Sequence, residues 1–325
     1  MSEPLLRMDR VSKVFSAHGG PVNRALSALG LAEKARPVRA VDDVSLEIAR
    51  GEVMGVVGES GCGKSTLGRM AAGLLKPTSG KLEFAGRAGA GTRALDRQMI
   101  FQDPFSSLTP RMRVTALIGE APRVHRVVPP SELEAYVLAL MERCGIDAAY
   151  ARRFAHQFSG GQRQRIGIAR ALAVKPELLV ADEAVSALDV SVQAQIVNLF
   201  MDLREEFGLT YLFISHDLGI VRHVSDRVTV MYLGRVVETG EAEDLFARPN
   251  HPYTRALIEG VPRLDMRRTR YRPVAGDIPS PLDPPPGCHF HPRCPHAMAR
   301  CKVEVPQLKT ISPGRQSACH LNDGQ

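Results

Sequence analysis

The sequence predicts an α/β fold in which a mainly parallel sheet carries helices on both faces. Short apolar runs at 53–57 and 178–181 are typical of strands buried in a parallel sheet, and a further strand is predicted at 210–214. Helical patterns follow the first two runs, one ending near Leu75 and one over about 190–207. This alternation of strands and helices assigns the fold to the α/β class.

Other parts of the chain surround this core. Residues 111–174 are predicted to be mostly helical, with one helix over 131–144 that begins at a serine. Residues 16–38 contain glycine, proline and basic residues, and are predicted to form a loop or an insertion. Strand-like stretches, several of them with apolar and polar residues in alternation, are predicted at 4–15, 39–48, 227–232 and 235–239.

The composition narrows the classes of function. The 325 residues are 44% hydrophobic and 24% charged, which is enough for a sizeable core. Aromatic residues make up 5%, with no tryptophan, so we expect no nucleic-acid partner. The formal net charge of +7 comes from basic residues spread along the chain. No apolar run approaches the length of a membrane span, and no signal peptide is recognisable, so we expect a cytoplasmic protein.

Residues 58–65 (GESGCGKS) match the pattern G-x-x-x-x-G-K-[ST] between a predicted strand and a helix, as that pattern requires. The glycines allow a tight turn whose N–H groups form an anion cradle with the helix N-terminus. Lys64 is suited to reach the β- and γ-phosphates, and Ser65 to ligate Mg²⁺. The sequence therefore predicts a site for a nucleoside triphosphate and Mg²⁺, with the residues Gly58, Ser60, Gly61, Cys62, Gly63, Lys64, Ser65 and Thr66.

The stretch LLVADE (178–183) places two carboxylates at the end of a buried strand. Asp182 is suited to hold Mg²⁺, directly or through water, and Glu183 to polarise the attacking water as a general base. The alternative is an ordinary pair of helix N-cap residues. Because the chain already contains a phosphate loop, we favour the catalytic role.

The segment FSGGQRQR (158–165) resembles the signature of ABC ATPases, usually written LSGGQ. Gln102 in FQDP matches the glutamine loop of that family, and His216 in ISHD matches its switch histidine. Residues 186–189 (SALD) match the loop that meets the partner subunit. With the phosphate loop and the acidic strand end, these motifs occur in the family's order, and the resemblance covers residues 1–250.

In that family the active site is shared between two subunits, and ATP holds a head-to-tail dimer together. One subunit supplies the phosphate loop, the acidic strand end, the glutamine and the histidine. The other supplies its signature as a second anion nest at a helix N-terminus. The resemblance implies catalytic roles for Glu183, His216 and Gln102, Mg²⁺ contacts for Ser65, Gln102 and Asp182, and ATP contacts across the dimer for Ser159, Gly160, Gly161 and Gln162.

The resemblance also implies the domain organisation: an ABC-type P-loop NTPase core with an antiparallel β subdomain, an α-helical subdomain and an irregular Cys-rich C-terminal extension. From about residue 249 proline and glycine become frequent, which predicts a boundary near 250. The predicted divisions are 1–110 for the first part of the nucleotide-binding core, 111–175 for the helical subdomain with the signature, 176–250 for the second part of the core, and 251–325 for the extension.

Two positions depart from the commonest pattern of the family. Ala184 follows Glu183 where proline is usual, which is expected to loosen the turn slightly. The aromatic residue that stacks on adenine normally lies closer to the phosphate loop than Phe15 does, and the insertion at 16–38 accounts for the longer distance. Phe15 is the best match for adenine stacking, and burial in the sheet is the alternative.

The C-terminal quarter resembles the extension of the ATPases of oligopeptide, dipeptide and related importers, through HPYTRAL (251–257) and PSPLDPPPGCHFHPRCP (279–295). FQDPFSSLTPR (101–111) resembles the same subfamily. The resemblance implies ATP hydrolysis that powers peptide import, with two membrane permease subunits, a second ABC ATPase subunit and, indirectly, an extracytoplasmic substrate-binding protein as partners. It implies a peripheral location at the cytoplasmic face of the inner membrane. Another cargo (nickel or glutathione) and a non-transport ABC ATPase are the alternatives.

Four cysteines fall near the C-terminus with the spacing C-x5-C-x6-C-x17-C. Four thiolates suit a [4Fe–4S] cluster or tetrahedral zinc, and the spacing alone does not decide between them. The resemblance to peptide-importer ATPases favours the cluster, while nearby histidines keep zinc open; the third alternative is reduced thiols that pack a small subdomain. The expected cluster ligands are Cys288, Cys294, Cys301 and Cys319, and the nearby histidines are His289, His291, His296 and His320.

Overall fold

The computed structural model describes residues 3–15, 37–86, 94–103, 108–260 and 276–323. Within these ranges the chain forms an eight-stranded sheet of order β10-β11-β9-β8-β3-β7-β6-β5 and a three-stranded sheet of order β2-β1-β4. The strands are β1 (Leu6–Phe15), β2 (Val38–Ile48), β3 (Val53–Val57), β4 (Ser79–Phe84), β5 (Arg97–Ile100), β6 (Leu178–Asp182), β7 (Thr210–Ile214), β8 (Arg227–Tyr232), β9 (Arg235–Glu241), β10 (Lys309–Ser312) and β11 (Arg315–Ser317).

The α-helices of the described residues lie mainly between these strands. One group follows strands of the large sheet, and another forms the segment between β5 and β6. The helices are α1 (Lys64–Ala71), α2 (Val114–His125), α3 (Leu133–Arg143), α4 (Gly160–Leu172), α5 (Val190–Phe207), α6 (Leu218–Val224), α7 (Ala242–Ala247) and α8 (Pro252–Glu259). None of the helices within these described ranges is long and apolar enough to cross a membrane.

The central strands of the large sheet are buried on both faces. In β6, Leu179 belongs to the apolar core on the side of the helical segment, whereas Val180 belongs to the core beneath the small sheet. In β7, Phe213 likewise belongs to the core on the side of the helical segment, and Leu212 to the core beneath the small sheet. Because successive side chains of a strand point to opposite faces, a strand covered on both sides is apolar throughout. This is why continuous apolar runs mark these strands in the sequence.

The large sheet is mixed: the predicted parallel pairing holds for its central strands, and antiparallel strands extend it on one side. Strands β3, β5, β6, β7 and β8 pair in parallel, but β9 pairs antiparallel with β8. Leu233 and Gly234 join β8 to β9 in a tight turn, and such a short connection permits only antiparallel pairing. Strand β11 then adds to the free edge of β9, also antiparallel.

The small sheet is antiparallel, with β1 paired to both β2 and β4. Its inner face is apolar, since Leu6 and Met8 are buried while Arg7 between them is exposed. Helix α1 packs between this sheet and the large one, and its Leu67 and Met70 are buried in the same core. The helix ends at Ala71 rather than near Leu75.

The residues after α8 that the structure describes are attached to the core sheet. Gln316 pairs with Thr239 and Ser317 with Glu238, which joins β11 to β9. The pairing is reinforced by a buried ion pair, in which Arg315 lies 2.7 Å from Glu238. The predicted divisions at 110, 175 and 250 remain predictions, and most of the predicted insertion at 16–38 lies outside the described residues.

We expect Phe200→Ala to destabilise the protein by about 3–5 kcal/mol, because Phe200 is buried on α5 and its removal leaves a cavity. Its ring stands edge-on to Tyr211 and Phe213 of β7. Phe207→Ala on the same helix is the matched control, since Phe207 is 40% exposed, and it should cost less than about 1 kcal/mol. Urea unfolding of the two variants measures the difference, and equal losses would contradict this packing.

Candidate nucleotide site

The carboxyl ends of parallel strands β3, β7, β6 and β5 lie side by side. Ile214 at the end of β7 is paired with Val56 of β3 and with Asp182 of β6, and Ile100 of β5 is paired with Ala181. The phosphate loop follows β3, Asp182 is the last residue of β6, and Gln102, Glu183 and His216 follow β5, β6 and β7. One edge of the sheet therefore gathers motifs that are far apart in the sequence, as is general for ligand sites of open α/β sheets.

The phosphate loop is tightly packed against neighbouring backbone. Gly58 and Gly63 both have positive φ, 150° and 106° respectively. A Cβ at Gly58 would clash with the carbonyl oxygen of Met231, and one at Gly63 with that of Ala40. Only glycine fits both the conformation and the space at these two positions. The close approach leaves a compact backbone cradle at the start of α1, where anions are favoured.

Lys64 is buried within this loop. Its ammonium group donates hydrogen bonds to the carbonyl oxygens of Gly58 at 2.7 Å and Glu59 at 3.0 Å, and lies 3.8 Å from the sulfur of Cys62. Burial raises the pKa of Cys62, so this thiol is neutral beside the cation. The positive charge is thereby held over the loop, where phosphate oxygens would meet it.

Ser65 and Asp182 form the part of the site that suits Mg²⁺. The Ser65 hydroxyl lies 2.9 Å from Oδ1 of Asp182. Asp182 is only 5% exposed, and this burial raises the pKa of its carboxyl group, although the hydrogen bond from Ser65 lowers it in part. Hydroxyl and carboxylate oxygens are the ligands that Mg²⁺ prefers, together with substrate phosphates. The residues present therefore fit Mg²⁺ bound with ATP.

Glu183 is surrounded by the other two predicted catalytic side chains. Gln102 donates a hydrogen bond to Glu183 at 2.9 Å, and Nδ1 of His216 lies 3.6 Å from the same carboxylate oxygen. Glu183 has a left-handed backbone, with φ of 49°. The turn is closed by Ser186, whose N–H and hydroxyl both donate to the Glu183 carbonyl. This turn forms with Ala184 at the position where the family usually has proline.

The signature residues begin helix α4. Ser159 is the N-cap, and it exchanges hydrogen bonds with Gln162 in a capping box: the Ser159 N–H donates to the Gln162 side chain at 3.1 Å, and the Gln162 N–H to the Ser159 hydroxyl at 3.4 Å. Gly160 and Gly161 form the first turn. The segment thus presents a helix N-terminus, a local environment that favours anions.

Phe15 stands at the end of β1 and is 42% exposed, so it is not buried in the sheet. The Lys13 ammonium group lies 5.6 Å from its ring centroid. An exposed ring at a strand end is free to stack on a planar ligand, which burial would have prevented.

Sequence reasoning assigned no role to Glu59 of the phosphate loop, nor to Tyr253 and Arg293, which contact it. The N–H of Glu59 donates to the Tyr253 hydroxyl at 2.8 Å, and its carboxylate forms two hydrogen bonds with Arg293. Glu59 occupies a free position of the loop pattern, and the other two lie in the C-terminal motifs. No local pattern relates residues so far apart, so only the motifs HPYTRAL and HPRCP offered a signal.

The prediction of a [4Fe–4S] cluster is wrong, and so is the zinc alternative. Across the described residues, no group of three or more His, Cys, Asp or Glu side chains could hold a metal ion. The four predicted cysteine ligands line one cavity of about 10 Å³, which is room for a single water molecule. Burial raises the pKa of Cys288 to about 11.

Comparison with known families agrees with this site. The model of the ABC transporter family matches residues 41–186, and that of the oligopeptide/dipeptide transporter C-terminal region matches residues 237–301. The oligopeptide transport ATP-binding protein AppF of Bacillus subtilis is 47% identical over 98% of this chain and 98% of its own length. The dipeptide transport ATP-binding protein DppF of Haemophilus influenzae is 47% identical over 89% of this chain and 91% of its own length.

Solved structures give the same class. The structure of cbiO1 from Clostridium perfringens, part of the ABC transporter complex cbiONQ, matches with a TM-score of 0.62 at 27% identity, over 76% of this chain and 92% of that one. Dimeric MJ0796, an ATP-binding cassette with ADP and Pi bound, matches with a TM-score of 0.60 at 25% identity, over 73% of this chain and 98% of that one. The chain is an ATPase of the ABC class. It belongs to the family of oligopeptide/dipeptide transporter ATP-binding subunits.

We expect Asp182→Asn to raise the free energy of unfolding of the nucleotide-free protein at pH 7. The pKa of Asp182 is raised in the folded state, so ionising the carboxylate there opposes folding. This penalty begins to shrink as the pH falls through the folded-state pKa and is absent below the unfolded-state pKa. The gain from the substitution should therefore shrink on acidification. Urea unfolding at pH 7 and at progressively lower pH measures it.

Asp42→Asn is the matched control with the opposite sign. Burial raises the pKa of Asp42, but ion pairs with Arg235 and Arg39 outweigh this and hold the pKa below its usual value. Its ionised form therefore stabilises the folded state above the unfolded-state pKa, and this contribution is lost as the pH falls through the folded-state pKa. Asp42→Asn should destabilise the protein at pH 7; effects of the same sign in both variants would contradict the assignment.

Proposed function

We propose that this chain hydrolyses ATP to power an importer for oligopeptides or dipeptides. The observation that carries the proposal is the cluster of Gln102, Glu183 and His216 beside the phosphate loop, at one edge of the sheet. The cargo is inferred from the C-terminal region, which matches the oligopeptide/dipeptide transporter model over residues 237–301, and from the names of AppF and DppF.

The chemistry is transfer of the γ-phosphoryl group from ATP to water. The loop N–H groups and Lys64 would bind the phosphates, while Ser65 and Asp182, with Gln102, would hold Mg²⁺, which neutralises charge on the phosphate oxygens. Glu183 would accept a proton from the attacking water, and His216 would contact the γ-phosphate. Gln102 would orient Glu183 through the hydrogen bond they share. Catalysis here consists of positioning and electrostatic stabilisation.

A second ATPase subunit would complete each site. The signature of one subunit, with Ser159, Gly160, Gly161 and Gln162, would face the phosphates held by the other, as a helix N-terminus favours. Phe15, exposed at the end of β1, would stack on the adenine ring. The partner is a paralogue or a second copy of this chain.

The remaining partners follow from the family. Two permease subunits would form the membrane path, and the ATPase would sit against their cytoplasmic face as a peripheral subunit. An extracytoplasmic substrate-binding protein would deliver the peptide. The proposed domain divisions are 1–110, 111–175, 176–250 and 251–325. The helical part, 111–175, would transmit the motion that follows ATP hydrolysis to the permease subunits. No residue of the chain is assigned to cargo selection.

We expect Glu183→Gln to bind ATP with a Kd within about threefold of wild type but to lower kcat at least about 100-fold, because glutamine cannot accept the proton. Nucleotide binding by a fluorescent ATP analogue and phosphate release measure the two quantities. Glu205→Gln on the exposed face of α5 is the control and should retain wild-type rates. Retained hydrolysis in Glu183→Gln would remove Glu183 from the role of base.

The cargo is tested separately, in proteoliposomes that contain the chain with the membrane subunits that co-purify with it, with the substrate-binding protein added outside the vesicles. Uptake of a labelled peptide should require ATP inside the vesicle and should stop with Glu183→Gln. Uptake of nickel or glutathione in place of peptide would leave the ATPase assignment unchanged but would contradict the assignment of peptide as the cargo.

A further inference from the structure

The described C-terminal segment reaches the phosphate loop through one arginine. The guanidinium of Arg293 forms two hydrogen bonds with the carboxylate of Glu59, at 2.7 and 2.9 Å. The Arg293 side chain is 4% exposed and that of Glu59 is 20% exposed. A two-bond pair between a planar guanidinium and a carboxylate fixes orientation as well as distance, and it is strongest where water is excluded. Glu59 is the second residue of the loop, directly after Gly58.

The backbone of the same residue is held by α8. The N–H of Glu59 donates to the hydroxyl of Tyr253 at 2.8 Å. Tyr253 is fully buried, and its ring packs against Tyr232 at 4.7 Å and Phe290 at 5.3 Å between centroids. Both anchors of Glu59 are therefore built into one aromatic cluster. Neither the side chain nor the N–H of Glu59 is left to move independently.

The aromatic cluster also joins Arg293 to the core. The Arg293 guanidinium donates to the Tyr232 hydroxyl at 3.4 Å and lies 5.9 Å from its ring centroid. The turn between β8 and β9 follows Tyr232. His289 forms a hydrogen bond with the Leu233 carbonyl of this turn, and the Gly234 N–H donates to the Cys62 carbonyl at 2.9 Å. The loop is thus supported near its start and near its end.

Glu59 links these supports to the phosphate-binding lysine. Its carbonyl oxygen accepts a hydrogen bond from the Lys64 ammonium group at 3.0 Å. A shift of Glu59 would move both a carbonyl partner of Lys64 and the backbone that follows Gly58. The position of the ammonium group therefore depends on Arg293 and Tyr253, through Glu59.

We propose that Arg293 and Tyr253 are positioning residues for ATP, which act on the phosphate loop through Glu59. The inference rests on the proposed role of the loop in binding ATP. It makes Tyr253 and Arg293 part of the nucleotide site, in addition to any role they have in the importer complex.

The test uses the full-length chain purified with its membrane subunits. Arg293→Lys keeps the charge but loses the two-bond geometry, and we expect it to raise KM for ATP about tenfold, since small displacements of a binding group are costly. Tyr253→Phe removes one hydrogen bond without changing the packing, and we expect a rise of about threefold. The KM and kcat from phosphate release and the midpoint of thermal unfolding are measured for each variant.

Arg315→Lys is the matched control. Arg315 is a second buried arginine of the same segment, paired with Glu238 and Asp244 and without a contact to the phosphate loop among the hydrogen bonds of the described residues. It should lower the unfolding midpoint by an amount comparable to Arg293→Lys but leave KM for ATP unchanged. Should Arg293→Lys also leave KM unchanged, with the same loss of stability, Arg293 would be structural and the proposal overturned.

A double variant tests the route through Glu59. In a Glu59→Gln background, Arg293→Lys should change KM by less than about twofold, because coupled residues are non-additive. Additive effects would overturn the proposal. Lys64→Ala distinguishes failure of the positioning role from failure of the proposed function. If Lys64→Ala hydrolyses ATP like wild type, the loop is not the ATP site. If Lys64→Ala lacks ATPase activity and Arg293→Lys leaves KM unchanged, only the positioning role is rejected. If Arg293→Lys fails to fold, Tyr253→Phe decides the question.

Discussion

The phosphate loop, Asp182 and the cluster of Gln102, Glu183 and His216 depend on the alignment of four parallel strand ends. Strands β3, β7, β6 and β5 stop at the same level because their hydrogen-bonded registers match, residue by residue, across the sheet. A slip of one residue in β6 would turn Asp182 to the opposite face, since side chains alternate along a strand. The apolar cores on both sides oppose such a slip, because Leu179 and Val180 would then exchange environments. The hydrophobic core therefore determines the site geometry.

Two residues of the site lower the stability of the folded state, and contacts in the surrounding structure offset this cost. Asp182 is a buried carboxylate whose pKa is raised, and Glu183 has a left-handed backbone that costs on the order of 1 kcal/mol or more. The Glu183 N–H is nevertheless bonded to the Ile214 carbonyl of β7, and Ser186 closes the turn. The sheet and this turn hold the catalytic carboxylate in a conformation that an isolated chain would avoid. Functional residues with buried charge and strain are expected to trade stability for activity.

The sequence predicts best what depends on local pattern. The bounds of β3, β7, β8 and α5 match the predictions, because apolar runs and a stop at Gly208 define them without reference to distant residues. The motifs of the site were also visible, since each follows an element that the pattern identifies.

Elements and contacts that depend on distant partners were not visible. Strand β4 (Ser79–Phe84) is mostly exposed and polar, and it is a strand because β1 offers it an edge to pair with. The same holds for β11 on β9. The cysteine spacing indicated four possible ligands but not the size of the cavity between them, because packing of the C-terminal residues determines that size. The contact of Arg293 with Glu59 spans most of the chain and has no local signature.

The described residues of the C-terminal quarter are joined to the core sheet by buried contacts. Glu238 on β9 is fully buried and accepts hydrogen bonds from the backbone of Asn250 and His251 as well as from Arg315. One carboxylate thus joins the core sheet, the start of α8 and β11. Removing one partner of such a buried network leaves the others unsatisfied at a large cost. The contacts that hold the phosphate loop continue beyond residue 249, where the periodicity is lost, because Glu59 is bonded to Tyr253 and Arg293.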